Sequence, residues 1–125
     1  MKIFDRTLAR LETALDVRMV RHGVLAANIA NADTPGYVAR DVDFDAAMAA
    51  ADGGAAPTRE GHIPVASSAG APVDVVGAPG IDGNAVDADR TLVALAENGL
   101  QYGAAARSAA KKLAILRYVA SDGAA

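Results

Sequence analysis

In the last third of the chain, Leu92, Leu95, Gly99, Tyr102, Ala106, Ala109, Leu113, Leu116 and Ala120 follow one another in alternating steps of three and four residues. That spacing is the a/d seam of a heptad repeat, and it leaves little choice of fold: the segment is expected to be a helix with one apolar edge. At about 1.5 Å per residue the seam makes a rod of roughly 40 Å. The middle of the seam is small, with Gly99, Ala106 and Ala109. Such positions stabilise little by burial but let another backbone come close.

The other end of the chain carries a matching pattern. From Phe4 to Ile29 the residues Phe4, Leu8, Leu11, Leu15, Met19, Ala26 and Ile29 recur at helical spacing, with His22 taking one step of the stripe. Val17, Val20 and Val24 add a second apolar row, wider than one partner helix would cover. The spacing therefore predicts a mainly α fold in which long terminal amphipathic helices pair as a coiled-coil hairpin. Two helices rarely bury enough apolar surface to offset the entropy of ordering them. The uncovered row points to an oligomer or a larger assembly.

Local signals mark where the helices stop. Asp87 is placed to cap the C-terminal helix, with Asp89 in its first turn and an Asp82-Gly83 turn before it. The N-terminal helix should end near Asn31. Thr34-Pro35-Gly36-Tyr37 then reads as a turn, with Gly36 at the position that needs positive φ. Between the helices, Ala49 to Gly80 is rich in Ala, Gly, Pro and Ser and should be irregular, with room for short β-strands around Val73 to Val76. Residues 1–31 are thus expected to form the N-terminal helix of a coiled-coil domain. Residues 32–86 should be turn, extended arm and flexible middle, and 87–125 the C-terminal heptad helix.

Composition removes most function classes. The 125 residues are 52% hydrophobic, but about a quarter of the chain is alanine, and there are two Phe, three Tyr and no Trp. A deep aromatic pocket is not expected. No cysteine is present, so there is no disulfide framework, thiolate metal site or thiol nucleophile. His22 and His62 lack partners at ligand spacing, and Ser67, Ser68, Ser108 and Ser121 lack a nucleophile motif. Asp41, Asp43 and Asp45 alternate along what reads as a solvent-facing extended edge rather than an acid/base pair. Neither a catalytic site nor a cofactor is expected.

A net charge of −3 and a pI near 5.2 argue against a nucleic-acid binder. The basic cluster of Arg107, Lys111, Lys112 and Arg117 reads as a solvated face that complements the helix dipole. The N-terminus has no long apolar stretch after Lys2, so neither a cleavable signal nor a membrane span is expected.

The run LAANIANADTPGYVARDVDF, Leu25 to Phe44, resembles the N-terminal signature of bacterial flagellar basal-body rod and hook proteins. Its ARDVDF continuation looks like that of the proximal rod family, FlgB. TREGHI, Thr58 to Ile63, and DGNAVDADRTLVALAENGLQY, Asp82 to Tyr102, are similar to later elements of the same family. The resemblance implies a structural subunit that polymerises through its terminal helices, as part of the drive shaft of flagellum-dependent motility. It also implies export through the flagellar type III apparatus and a place in the rod, in the periplasm. The implied partners are other rod subunits, the rod-to-membrane-ring junction protein and the export gate, with no nucleic acid. The residues expected at subunit contacts are Leu8, Leu11, Leu15, Asn28, Ile29, Asn31, Thr34, Pro35, Gly36, Tyr37, Leu92, Leu95, Tyr102, Leu113 and Leu116.

Several of these have a plainer reading. Asn28 and Asn31 suit hydrogen bonds to a neighbour and capping of their own helix equally well. Tyr37 and Tyr102 suit interface anchors and ordinary packing. A soluble helical adaptor or export chaperone, using the same helices on one partner, is the alternative to a rod subunit. An enzyme is a distant third.

Overall fold

The computed structural model describes residues 6–52, 73–74 and 86–121. Residues 58–63, with the TREGHI element and His62, lie outside them, as do Phe4, the Asp82-Gly83 turn, and all but Val73 and Asp74 of the middle beyond residue 52.

Among the described residues, three helices and one strand pair make the fold. α1 runs Arg6–Ala30, β1 is Arg40–Asp41, α2 is Phe44–Asp52, β2 is Val73–Asp74 and α3 is Ala88–Ala120. α1 and α3 pack against each other along their lengths, as the two apolar stripes predict. α3 has 33 residues, or about 50 Å. It runs unbroken through Gly99 and Gly103, and the Arg107 guanidinium lies over Gly103.

The ends of the helices are closed by local chemistry. Asp87 caps α3: its carboxylate accepts from the Arg90 amide at 3.0 Å, and its carbonyl oxygen accepts from the Thr91 amide. At the end of α1, the Asn31 amide and side-chain Nδ2 both donate to the Ala27 carbonyl oxygen. The Thr34 hydroxyl donates to Asn31 Oδ1. The Tyr37 amide then donates to the Thr34 carbonyl at 3.2 Å, closing the turn, and Gly36 takes φ 71°.

This turn sends residues 38–43 back along α1 rather than away from it. Val42 and Ala47 are buried against Val17, with Val24 and Phe44 packed around them. The apolar row on α1 that looked unpartnered is thus covered in part by the chain's own arm. Val20 stands aside from it and is 42% exposed. So short a return costs little closure entropy against the burial it achieves.

α2 departs from the expectation of an extended edge through Asp41, Asp43 and Asp45. Asp43 caps this helix instead, its carboxylate accepting from the Ala46 amide at 2.9 Å, while Asp45 sits in the first turn. Both positions favour an acid, because helix N-termini present unpaired N–H groups. β1 pairs antiparallel with β2, Arg40 opposite Asp74 and Asp41 opposite Val73, which fits the short strand expected near Val73.

The α3 contact face is also rotated from the predicted seam. Asn98 is its one buried residue, flanked on that face by half-buried Ala94, Ala105 and Lys112. Leu92 and Leu113, seam residues by spacing, are left about half exposed at its edge. The rotation brings the Asn98 amide onto α1, where its Nδ2 donates to the Arg18 carbonyl oxygen at 2.9 Å.

Candidate assembly surface

Two polar clusters hold the arm and the hairpin together, and both are built from α1. The first uses Arg21 and Asn28, which share one helical row with Val17 and Val24. Asn28 is buried, and its amide spans both backbone groups of Arg40: Nδ2 donates to the Arg40 carbonyl at 2.6 Å, and Oδ1 accepts from the Arg40 amide at 3.0 Å. The Tyr37 hydroxyl reaches the same Oδ1 at 3.4 Å. Arg21 makes a two-pronged pair with Asp41, Nε to Oδ1 at 2.7 Å and Nη2 to Oδ2 at 2.8 Å.

Burial alone would push the Asp41 carboxyl up. The hydrogen bonds from Arg21, the Val42 amide donating at 2.7 Å, and the Arg21 charge outweigh it, so the group is held below the ordinary carboxylate range. Arg21 is correspondingly raised, first through its hydrogen bond to Asp41.

The second cluster ties α1 to α3. The Arg18 guanidinium lies 4.0 Å over the Phe44 ring and donates to Gln101 Oε1, so one side chain touches α2 and α3 at once. Burial, with the nearby Arg21 charge, lowers its pKa, and Glu97 opposes the shift.

The residues expected at subunit contacts are not brought together in one patch. Leu8, Leu11, Leu15 and Ile29 are half-buried on α1, and Leu95, Tyr102 and Leu116 are half-buried on α3. Leu92 and Leu113 are more open. Thr34, Pro35 and Gly36 form an exposed knuckle, with Tyr37 half-buried beneath it. Asn31 closes its own helix, and Asn28 pins the arm through Arg40. Tyr102 lines an open cleft between α1 and α3.

Sequence reasoning passed over Arg18, Arg21 and Asn98. Arg21 could have been found, because it interrupts the Val17, Val24, Asn28 row where an apolar residue is expected. Asn98 interrupts the α3 face in the same way.

The surface left over is apolar along the outside of α3. Val93, Leu100 and Tyr118 are 68%, 73% and 57% exposed and share the face turned away from α1. Among the described residues, no helix is long and apolar enough to cross a membrane, and no group of three or more acidic, His or Cys side chains could hold a metal.

Comparison with known proteins bears on what this surface meets. A family model described as flagella basal body rod protein matches residues 6–37, which are α1 and its closing turn. The flagellar basal body rod protein FlgB of Salmonella typhimurium is 40% identical over 111 residues, covering 78% of this chain and 80% of that protein. FlgB of Escherichia coli matches to the same extent. FlgB of Cereibacter sphaeroides is 42% identical over 95 residues, covering 71% of this chain and 73% of that protein.

Proposed function

Because the chain belongs to the FlgB family of flagellar basal body rod proteins, we propose that its helical hairpin is the polymerising part of a subunit in the rod's proximal segment. The chain is a structural rod subunit of the flagellar basal body and not an enzyme. Its neighbours are other rod subunits, the rod-to-membrane-ring junction protein and the export gate. It works in the periplasm, which it reaches through the flagellar type III apparatus.

The observation that carries this reading is the outer face of α3. An isolated chain gains nothing from Val93 and Leu100 in water, and a row of exposed apolar residues edged by charge marks a surface that is covered in the working state. The subunit contacts are assigned to this row with Leu92, Leu95, Tyr102, Leu113 and Leu116 on α3. Leu8, Leu11, Leu15, Asn28, Ile29 and Asn31 join them on α1, with the Thr34, Pro35, Gly36, Tyr37 knuckle.

Complementation tests it. In a strain lacking its own proximal rod protein, the chain should restore swimming. Leu100→Asp should abolish swimming while the purified variant keeps its helix content by circular dichroism. Normal swimming with Leu100→Asp would contradict the assignment of this face.

A further inference from the structure

The outer face of α3 is patterned as well as exposed. Val93, Glu97, Leu100, Ala104, Lys111 and Ile115 lie three, four or seven residues apart, all of them exposed, on one stripe turned away from α1. Charge is divided along it. Asp89 and Glu97 stand in the first third of the helix, whereas from Asn98 to Ala120 there is no acid, and Arg107, Lys111, Lys112 and Arg117 follow.

A stripe of this kind complements itself when two copies meet antiparallel. With Ala104 on the two-fold axis, position 93 of one copy faces position 115 of the other, and 97 faces 111. Val93 then covers Ile115, and Glu97 meets Lys111, each pair occurring twice by symmetry. Leu100 packs on the aliphatic stems of Arg107 and Lys111 across the contact. Ala104 is small enough for the backbones to come close, and the Arg107 guanidinium is already drawn aside over Gly103, away from the axis. A parallel pair in register does none of this. It sets Glu97 against Glu97 and Lys111 against Lys111, and it aligns the two helix dipoles where the antiparallel pair opposes them.

We propose that this face binds a second copy of the chain, α3 antiparallel to α3 about Ala104, with Val93 against Ile115 and Glu97 against Lys111. The contact is isologous, so each copy covers the same face of the other and the assembly closes at two. The pair hides the surface assigned above to neighbouring rod subunits, and a paired subunit cannot polymerise until the pair parts. That consequence rests on the rod reading; the pairing itself stands on the stripe.

Sedimentation velocity of the full chain over a dilution series should show monomer passing to dimer and no further as concentration rises. Variants are first checked for unchanged helix content by circular dichroism. Lys111→Glu should weaken the dimer roughly tenfold, because an attraction becomes a repulsion at two symmetric places. Adding Glu97→Lys to that variant should restore the affinity. Arg117→Glu makes the same change of charge to the side of the stripe and should leave the dimer nearly unaffected. The chain has no cysteine, so introduced thiols report the direction of pairing. Val93→Cys mixed with Ile115→Cys should give the mixed disulfide several-fold over either like-with-like product, and Ala104→Cys should link readily to itself.

A chain that stays monomeric at every concentration, or assembles past the dimer, would overturn the proposal. So would equal weakening by Arg117→Glu and Lys111→Glu, failure of the double exchange to restore pairing, or Val93→Cys linking to itself as readily as to Ile115→Cys. Complementation by the unmodified chain keeps the outcomes apart: restored swimming without a dimer rejects the pairing and leaves the rod reading standing, and a dimer without swimming does the reverse.

Discussion

Asn28 satisfies both backbone groups of Arg40 with one short side chain. Asn28→Ala should weaken arm docking by about 1–3 kcal/mol. The readout is faster hydrogen exchange at residues 39–47, with α3 unchanged. Asp41 adds a pH dependence. Its carboxyl is held below the ordinary range, so the stabilisation from the Arg21 pair is present above about pH 4 and is lost as pH falls through the lowered value. Both side chains are partly solvated, so the pair contributes on the order of 1 kcal/mol. Protection at Val42, taken relative to the intrinsic exchange rate at each pH, should fall on acidification in the wild type and be low throughout in Asp41→Asn. Gly36 was legible because a turn with positive φ is a local demand written in adjacent residues. Asn28 was not, because its partner lies twelve residues on and is brought there only by the turn.

Among the elements, α1 and α3 follow from their three-four spacing, which a helix alone can turn into one face. α2 was missed for a physical reason. From Asp41 to Asp45 acids alternate with Val42 and Phe44, a period of two, while the helix itself is mostly alanine and has no strong apolar row. Its start is decided by the Asp43 cap, so Asp43→Ala should cost α2 about 1 kcal/mol and loosen the Ala47 contact with Val17. Circular dichroism and exchange at residues 44–51 would register this. Asn98 sets how α3 meets α1. The heptad predicts a seam through Leu92, Gly99 and Leu113, and the amide bond to Arg18 turns the helix off it. A lone buried asparagine fixes register in helix pairs. Asn98→Ala should therefore broaden the distance distribution between spin labels placed at Glu12 and Ala104, and an unchanged narrow distribution would remove that role.

For the whole molecule, what the sequence conveyed best was incompleteness. Small seam residues and alanine-rich faces signal helices that stabilise each other weakly, and among the described residues the buried apolar set is Val17, Leu25, Ala39, Val42 and Ala47. α3 contributes no apolar side chain to it. Which surfaces stay open was not legible, since that depends on the path of the arm and on the rotation imposed by Asn98. We propose that this hairpin gains its full order from neighbouring subunits. Hydrogen exchange on the dilute full chain, compared at residues 6–30 and 88–120, tests this most directly. Exchange should be fast through most of α3, with slower amides confined to the parts of α1 covered by the arm. Strong protection along all of α3 at low concentration would contradict it and describe a hairpin that needs no partner.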